Sequence, residues 1–213
     1  MIILHPHAIG NLMGEPRSKA AKEAGELSET AKTYCIKLAK EHVYSYRDSI
    51  KGNQIEKGLQ CEQDSIDLLN IVTNSFYTKN SERITTDLLS GEADIVDEDG
   101  IIDIKTAWSL ATFPALPEQA HSDIYEWQGR AYLHLYDKQR FTLAYCLVST
   151  PDELCKYEDY RLHQVEHIEP AMRVTLWHCT RDMEKEALML EKCRRAQVYI
   201  EQLIADIKAA HQF

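Results

Sequence analysis

The sequence predicts an α/β fold in which a central mixed β-sheet is flanked by helices. Three observations carry that expectation. Two amphipathic helical stripes precede residue 75, β-rich segments occupy residues 83–105 and 140–150, and helical periodicity returns between and after those strands. Across 213 residues, 44% hydrophobic and 27% charged content is that of a soluble globular chain with a core, read as one domain over 1–213. No apolar run approaches the ~20 residues that cross a bilayer, so no membrane partner is expected. The opening lacks the basic start and long apolar segment of a secretion signal, so the expected location is the cytoplasm.

The elements follow in order. Ser28 to Tyr46 sets Ala31, Tyr34, Cys35, Leu38, Ala39 and His42 at spacings of three and four, the mark of an amphipathic helix. Residues 56–72 place Leu59, Ile66, Leu69 and Val72 or Thr73 on one stripe, which predicts one helix of about four turns; Glu62 interrupts it. Residues 83–105 read as strands turning at Asp97-Glu98-Asp99-Gly100, and the two prolines of residues 112–121 read as a loop. Ser122 is a candidate cap for a helix through Tyr136, with Ile124, Gln128, Ala131, Tyr132 and Leu135 on one face. Residues 140–150 suit a buried strand, and a long amphipathic helix is expected over about 181–210.

The segment Gly91–Trp108 carries the chemistry. If its turn centres on Glu98 and Asp99, Asp94 falls opposite Asp103; if on Asp99 and Gly100, Asp94 opposes Lys105 while Asp103 stays on the same face. A three-residue bulged loop would instead separate the two aspartates. Ile102 and Ile104 alternate with Asp103 and Lys105, so the isoleucines are expected to enter the core and the charged pair to point away from it. Two carboxylates ~5 Å apart repel by about 3 kcal/mol at an effective dielectric of ~20, and a divalent cation reverses that sign. Hard oxygen donors suit Mg²⁺ or Mn²⁺. The plain alternative is a solvated acidic hairpin with Lys105 paired to Glu92 or Asp103. Glu62 and Gln128, each a polar break in an apolar stripe, could equally be hydrogen-bonded core groups.

These residues resemble the PD-(D/E)XK nuclease superfamily, whose pattern is an acid, a gap, then acid-x-lysine: here Asp94, then Asp103-Ile104-Lys105. "KGLQCE" ending in Glu62, "GEAD" and "QGRAY" from Gln128 to Tyr132 look like the flanking motifs of RecB-type nucleases, and "HAIGNLMGEPRSK" like the opening of phage lambda exonuclease and YqaJ-type viral recombinases. His7 stands where that family usually has a small hydroxyl residue, and Asp103 where glutamate is commoner.

The resemblance implies a restriction-endonuclease-like core and a metal-dependent exonuclease. Mg²⁺, with Mn²⁺ as a substitute, would be ligated by Asp94, Asp103, the Ile104 carbonyl and Glu62. Lys105 would be the catalytic lysine, Gln128 would orient the site, and Arg17 and Tyr132 would serve DNA binding, Tyr132 by supporting its motif. Implied partners are double-stranded DNA ends, a single-strand annealing protein and a homo-oligomer, trimeric in some relatives. A structure-specific or nicking endonuclease, and an inert DNA-binding or assembly protein, are the alternatives. The net charge of −10 excludes nonspecific coating of nucleic acid through bulk charge while leaving room for a local basic track. Six cysteines without a C-x-x-C pair predict free thiols and no iron–sulfur cluster, and no histidine, His121 and His134 included, shows ligand-like spacing.

Overall fold

The computed structural model describes residues 2–49 and 51–211. It is a mixed α/β layer structure built on one four-stranded sheet. The helices are α1 (Lys19–Glu23), α2 (Glu29–Val43), α3 (Asn53–Gln60), α4 (Glu62–Thr73), α5 (Pro117–Ala120), α6 (Asp123–Tyr136) and α7 (Met183–Ala210). The strands are β1 (Ile84–Thr85), β2 (Ser90–Gly91), β3 (Ile95–Val96), β4 (Gly100–Thr106), β5 (Arg140–Cys146) and β6 (Val174–Thr180). The sheet order is β3-β4-β5-β6, with β4 and β5 parallel and both outer pairings antiparallel; β1 and β2 form a separate small ribbon. The parallel pair has α6 as its crossover, the connection that parallel strands require.

Helices cover both faces of the sheet, and the alternation of β4 decides which residues meet which helix. Ile101 joins Phe141, Leu143 and the α6 residues Ala131, Leu133 and Leu135 in a core that α2 and α7 close from outside. Ile102 and Ile104 face the other way, onto Ile66, Leu68 and Leu69 of α4. Asp103 therefore lies on the α6 side and is 2% exposed. The expected placement of the charged pair away from the core is corrected here: the sheet is covered on both sides, so a residue that leaves one core enters another.

The stretch expected as one helix over 56–72 is two, broken at Cys61, whose φ of −104° and ψ of 14° leave the helical region. The break explains why Leu59 is 70% exposed instead of joining the stripe. Lys57 is the inward residue of α3, and two positions further along a helix is about 200° around it. Lys57 is fully buried, and its Nζ donates to the carbonyls of Ala107 (2.7 Å), Trp108 (3.0 Å) and Val148 (2.8 Å). Its three donors match three carbonyls beyond the ends of β4 and β5, tying α3 to the sheet. Burial lowers its pKa to about 8.

Other differences are local. The α2 stripe buries Ala31, Cys35 and Ala39, whereas His42 is exposed and the helix ends at Val43. Within the loop over 112–121 a short turn, α5, forms beyond Pro117. Ser122 makes no side-chain cap, and Ile124 is 49% exposed, its backbone packed against Gly10. The sequence reading missed β6, although Val174, Leu176 and the neighbouring Trp177 are strand formers. The long terminal helix begins at Met183, capped by Asp182, whose carboxylate accepts from the Glu184 and Lys185 amides. Along α7, Lys192 donates to the Met13 and Gly14 carbonyls, and Gln197 donates to Ile2 and Asp87. These bonds fix the chain's opening segment beside β2.

Gly129, inside α6, sits against the Phe141 ring, and a Cβ there would fall 2.3 Å from a ring carbon. Alanine in an open helix position gains about 1 kcal/mol over glycine; overpacking a buried ring costs about 1–3 kcal/mol. Gly129→Ala is expected to lower the melting temperature, and a higher one would contradict this packing.

Candidate active site

The β3–β4 register brings the acidic residues together. Ile95 pairs with Ile102 and Val96 with Ile101, closed by a bond from the Asp97 amide to the Gly100 carbonyl (2.9 Å). Continuing that register places Asp94 opposite Asp103, the arrangement expected for a turn at Glu98-Asp99. No bulge separates them. Asp94 Oδ2 accepts from the Ile104 amide at 2.7 Å, so its side chain reaches across to β4.

Asp103 Oδ1 accepts from Gln128 Nε2 at 2.7 Å. Its Oδ2, also buried, is met by Lys105 Nζ at 2.6 Å as an ion pair. Lys105 is thus paired with Asp103 and also lies over the Tyr125 ring, 4.8 Å from its centre, with Tyr145 edge-on to Tyr125. Burial pulls the Lys105 pKa down, but the Asp103 and Asp94 carboxylates outweigh it and leave it raised, so the side chain stays an ammonium. Asp94 moves the opposite way from an ordinary carboxylate. Burial first, then the charge of Asp103, push its pKa up to about 7 despite the Ile104 amide.

Glu62 opens α4 close enough for its charge to act on Asp94, and its own carboxylate is held by Lys79. Tyr132 is buried, and its hydroxyl donates to the Glu92 carbonyl at 3.0 Å. It braces the strand before Asp94, the supporting role expected of it, and leaves little of its side chain exposed. Gly91 is required at this brace, because a Cβ would meet both Pro6 and the Tyr132 ring within 3 Å. Arg17 is exposed between the opening segment and α1, with no ion pair among the described residues, and is not gathered with the carboxylates. His7 is near enough for Lys105 to affect it; desolvation first, then the charges of His5 and Lys105, lower its pKa.

Several supporting residues escaped the sequence reading. Asn80 donates its amide to the Asp94 carbonyl (2.7 Å) and its side chain to the Ala93 carbonyl (3.0 Å). Tyr136 accepts from the Ala93 amide and donates to the Glu82 carbonyl. Tyr136 lay one turn beyond Tyr132 and could have been found by that spacing; Asn80 and Lys79 carried no periodic signal. His121, unassigned in the sequence, converges with Asp123 and Glu126, whose ligand atoms lie within 4.8 Å of one another. Burial would raise the Glu126 pKa, but Lys185, His121 and Arg130 bring it down to about 2, so protein cations already satisfy that carboxylate. The six cysteines are free thiols.

Asp94→Asn keeps an acceptor for the Ile104 amide and removes the charge. Folding opposes ionisation of Asp94, so its penalty is absent below the unfolded value of 3.8, grows as pH rises, and is complete above about 7. Thermal unfolding without metal is expected to show Asp94→Asn more stable than the parent at pH 8, on the order of 2 kcal/mol, with little difference at pH 4. Equal stabilities at both pH values would refute the electrostatic account.

No family model matches the chain, and no curated protein matches it. Solved structures do. A phage-related exonuclease from Haemophilus somnus 129PT is similar at TM-score 0.90 and 29% identity, over 97% of this chain and 96% of that one. An alkaline exonuclease from Laribacter hongkongensis matches at TM-score 0.69 and 12% identity over 98% of this chain and 92% of its own, and its dAMP complex at 0.68; at that identity the likeness shows the fold alone. The first of these, at 29% identity, supports a nuclease reading of the chain. With the acid and acid-x-lysine motifs apposed on a fold shared over 97% of its length with a phage-related exonuclease, the chain resembles the lambda-exonuclease-like branch of the PD-(D/E)XK nucleases.

Proposed function

We propose that the protein is a metal-dependent exonuclease that hydrolyses phosphodiesters at the ends of linear double-stranded DNA, working 5′ to 3′ and leaving a 3′ strand for an annealing partner in phage-type recombination. The observation that carries this reading is the buried apposition of Asp94 and Asp103 beside Lys105 and Gln128 on an exonuclease fold.

The residues suit a hard divalent cation. Asp103 Oδ2 is buried with Lys105 as its partner, and burial and its neighbour's charge raise the pKa of Asp94. Added positive charge relieves that shift, and the donors are oxygens. Asp94, Asp103, the Ile104 carbonyl and Glu62 would hold Mg²⁺ or Mn²⁺. Such an ion supplies Lewis-acid polarisation of a phosphate and acidifies the attacking water.

The chain's own groups do the rest. Gln128 holds Asp103 through Oδ1 and leaves Oδ2 to Lys105. Tyr132, Tyr136 and Asn80 clamp the backbone over residues 91–94, so Asp94 is positioned before substrate arrives. Lys105, kept protonated by two carboxylates, offers a positive charge to the phosphate oxygens as negative charge builds on them. The Tyr125 ring, 4.8 Å from the ammonium, adds a cation–π contact.

Purified protein with Mg²⁺ should release nucleotides from end-labelled linear duplex and leave covalently closed circles intact. Cut circles would indicate an endonuclease, and absence of cleavage with Mg²⁺ and Mn²⁺ would end the enzyme reading. Lys105→Ala should lower kcat by about 10²–10⁴-fold with DNA binding largely kept, and undiminished turnover would remove its assigned role.

A further inference from the structure

Lys79 is placed in the site by a strut. The next residue, Asn80, is bonded through its amide to the Asp94 carbonyl at 2.7 Å and through its side chain to the Ala93 carbonyl and the Tyr136 hydroxyl. From that anchored point the Lys79 ammonium reaches Glu62, which opens α4 on the other side of the cleft. The Lys79 side chain is half exposed. A lysine with that much freedom gains little from a surface ion pair, so its fixed delivery to this carboxylate calls for a reason.

Charge supplies one. Asp103 and Glu62 both bear on Asp94, and two ammonium groups answer the three carboxylates: Lys105 at Asp103 and Lys79 at Glu62. Lys105 sits within the acid-x-lysine motif and is mostly enclosed, with its ammonium under Tyr125. Lys79 comes from outside the motif, on the segment between α4 and β1, and its partner is the one carboxylate of the three that does not touch the β4 backbone or Gln128. With Lys79 on its Oε2, Glu62 has one oxygen already engaged, and any cation drawn to this carboxylate meets a competing ammonium.

We propose that Lys79 is a resident counter-ion of the carboxylate cluster, which a divalent cation must displace from Glu62, and that it thereby sets the metal affinity of the site. This rests on the nuclease reading above. Lys79 is a positioning residue: it acts through Glu62 and touches no reacting atom. On displacement, Glu62 swings into the ligand set and the ammonium returns to solvent, which its half-exposed side chain permits. The site is then held together by protein charge when metal is scarce and opened to metal when it is abundant.

Binding of Mn²⁺ to the full chain at pH 8, followed by the electron paramagnetic resonance signal of the free ion, tests this without requiring turnover. Lys79→Met should bind Mn²⁺ about tenfold more tightly than the parent, because both a competitor and a repelling charge are gone. Lys79→Arg, which keeps the charge, should stay close to the parent. In a Glu62→Gln background the Lys79→Met change should lose most of its effect, since there is then no carboxylate to compete for. Equal or weaker binding by Lys79→Met, with the parent binding normally, would overturn the proposal and leave the nuclease reading standing. Absence of Mn²⁺ binding by both parent and variant would overturn both.

Discussion

The site depends on a repulsion. The β3–β4 pairing places Asp94 opposite Asp103, burial weakens the solvent screening between them, and little in that geometry favours two negative charges. The neighbouring architecture holds the pair in place against that tendency. Gln128 binds one Asp103 oxygen, the Ile104 amide binds Asp94, and Lys105 is drawn in as a counter-charge. Tyr132 and Tyr136 of α6, with Asn80, then fix the backbone before Asp94, which opposes relaxation of the carboxylates apart. An arrangement of that kind stores a demand for positive charge, which is the property a divalent-metal site requires.

The same feature explains how an acidic chain can act on a polyanion. The net charge of −10 is a whole-molecule sum, whereas the local balance is three carboxylates against two ammonium groups, one divalent ion from being positive. In the proposed reaction phosphate would be met by a few groups at short range and by a bound cation, with the remaining acidic surface contributing little at distances beyond the screening length of about 10 Å.

The fold class and the apposed acid-x-lysine pair were legible in the sequence because both are periodic. Alternation along β4 separated Ile102 and Ile104 from Asp103 and Lys105, and both two-residue turns within Asp-Glu-Asp-Gly kept the aspartates on one face, leaving only the bulged loop for the structure to decide against. Periodicity could not say that the charged face would be buried, since that depends on α6 crossing over the sheet. The same limit misjudged residues 56–72, where a break at Cys61 turned Lys57 inward and Leu59 outward; a lysine bonded to three carbonyls is a tertiary arrangement with no trace in spacing. Gln128 was visible as a polar break in a stripe. Lys79 and Asn80, in an irregular segment with no stripe to break, were not.

The central claim is that Asp94 and Asp103 form the cation site of this fold. Anomalous diffraction from a crystal soaked in Mn²⁺ tests it most directly, because it locates the ion independently of activity. The account predicts a peak within coordination distance of both Asp94 and Asp103 carboxylates, with Glu62 turned toward it. A peak confined to the His121, Asp123 and Glu126 cluster, or no peak beside Asp94 and Asp103, would contradict it.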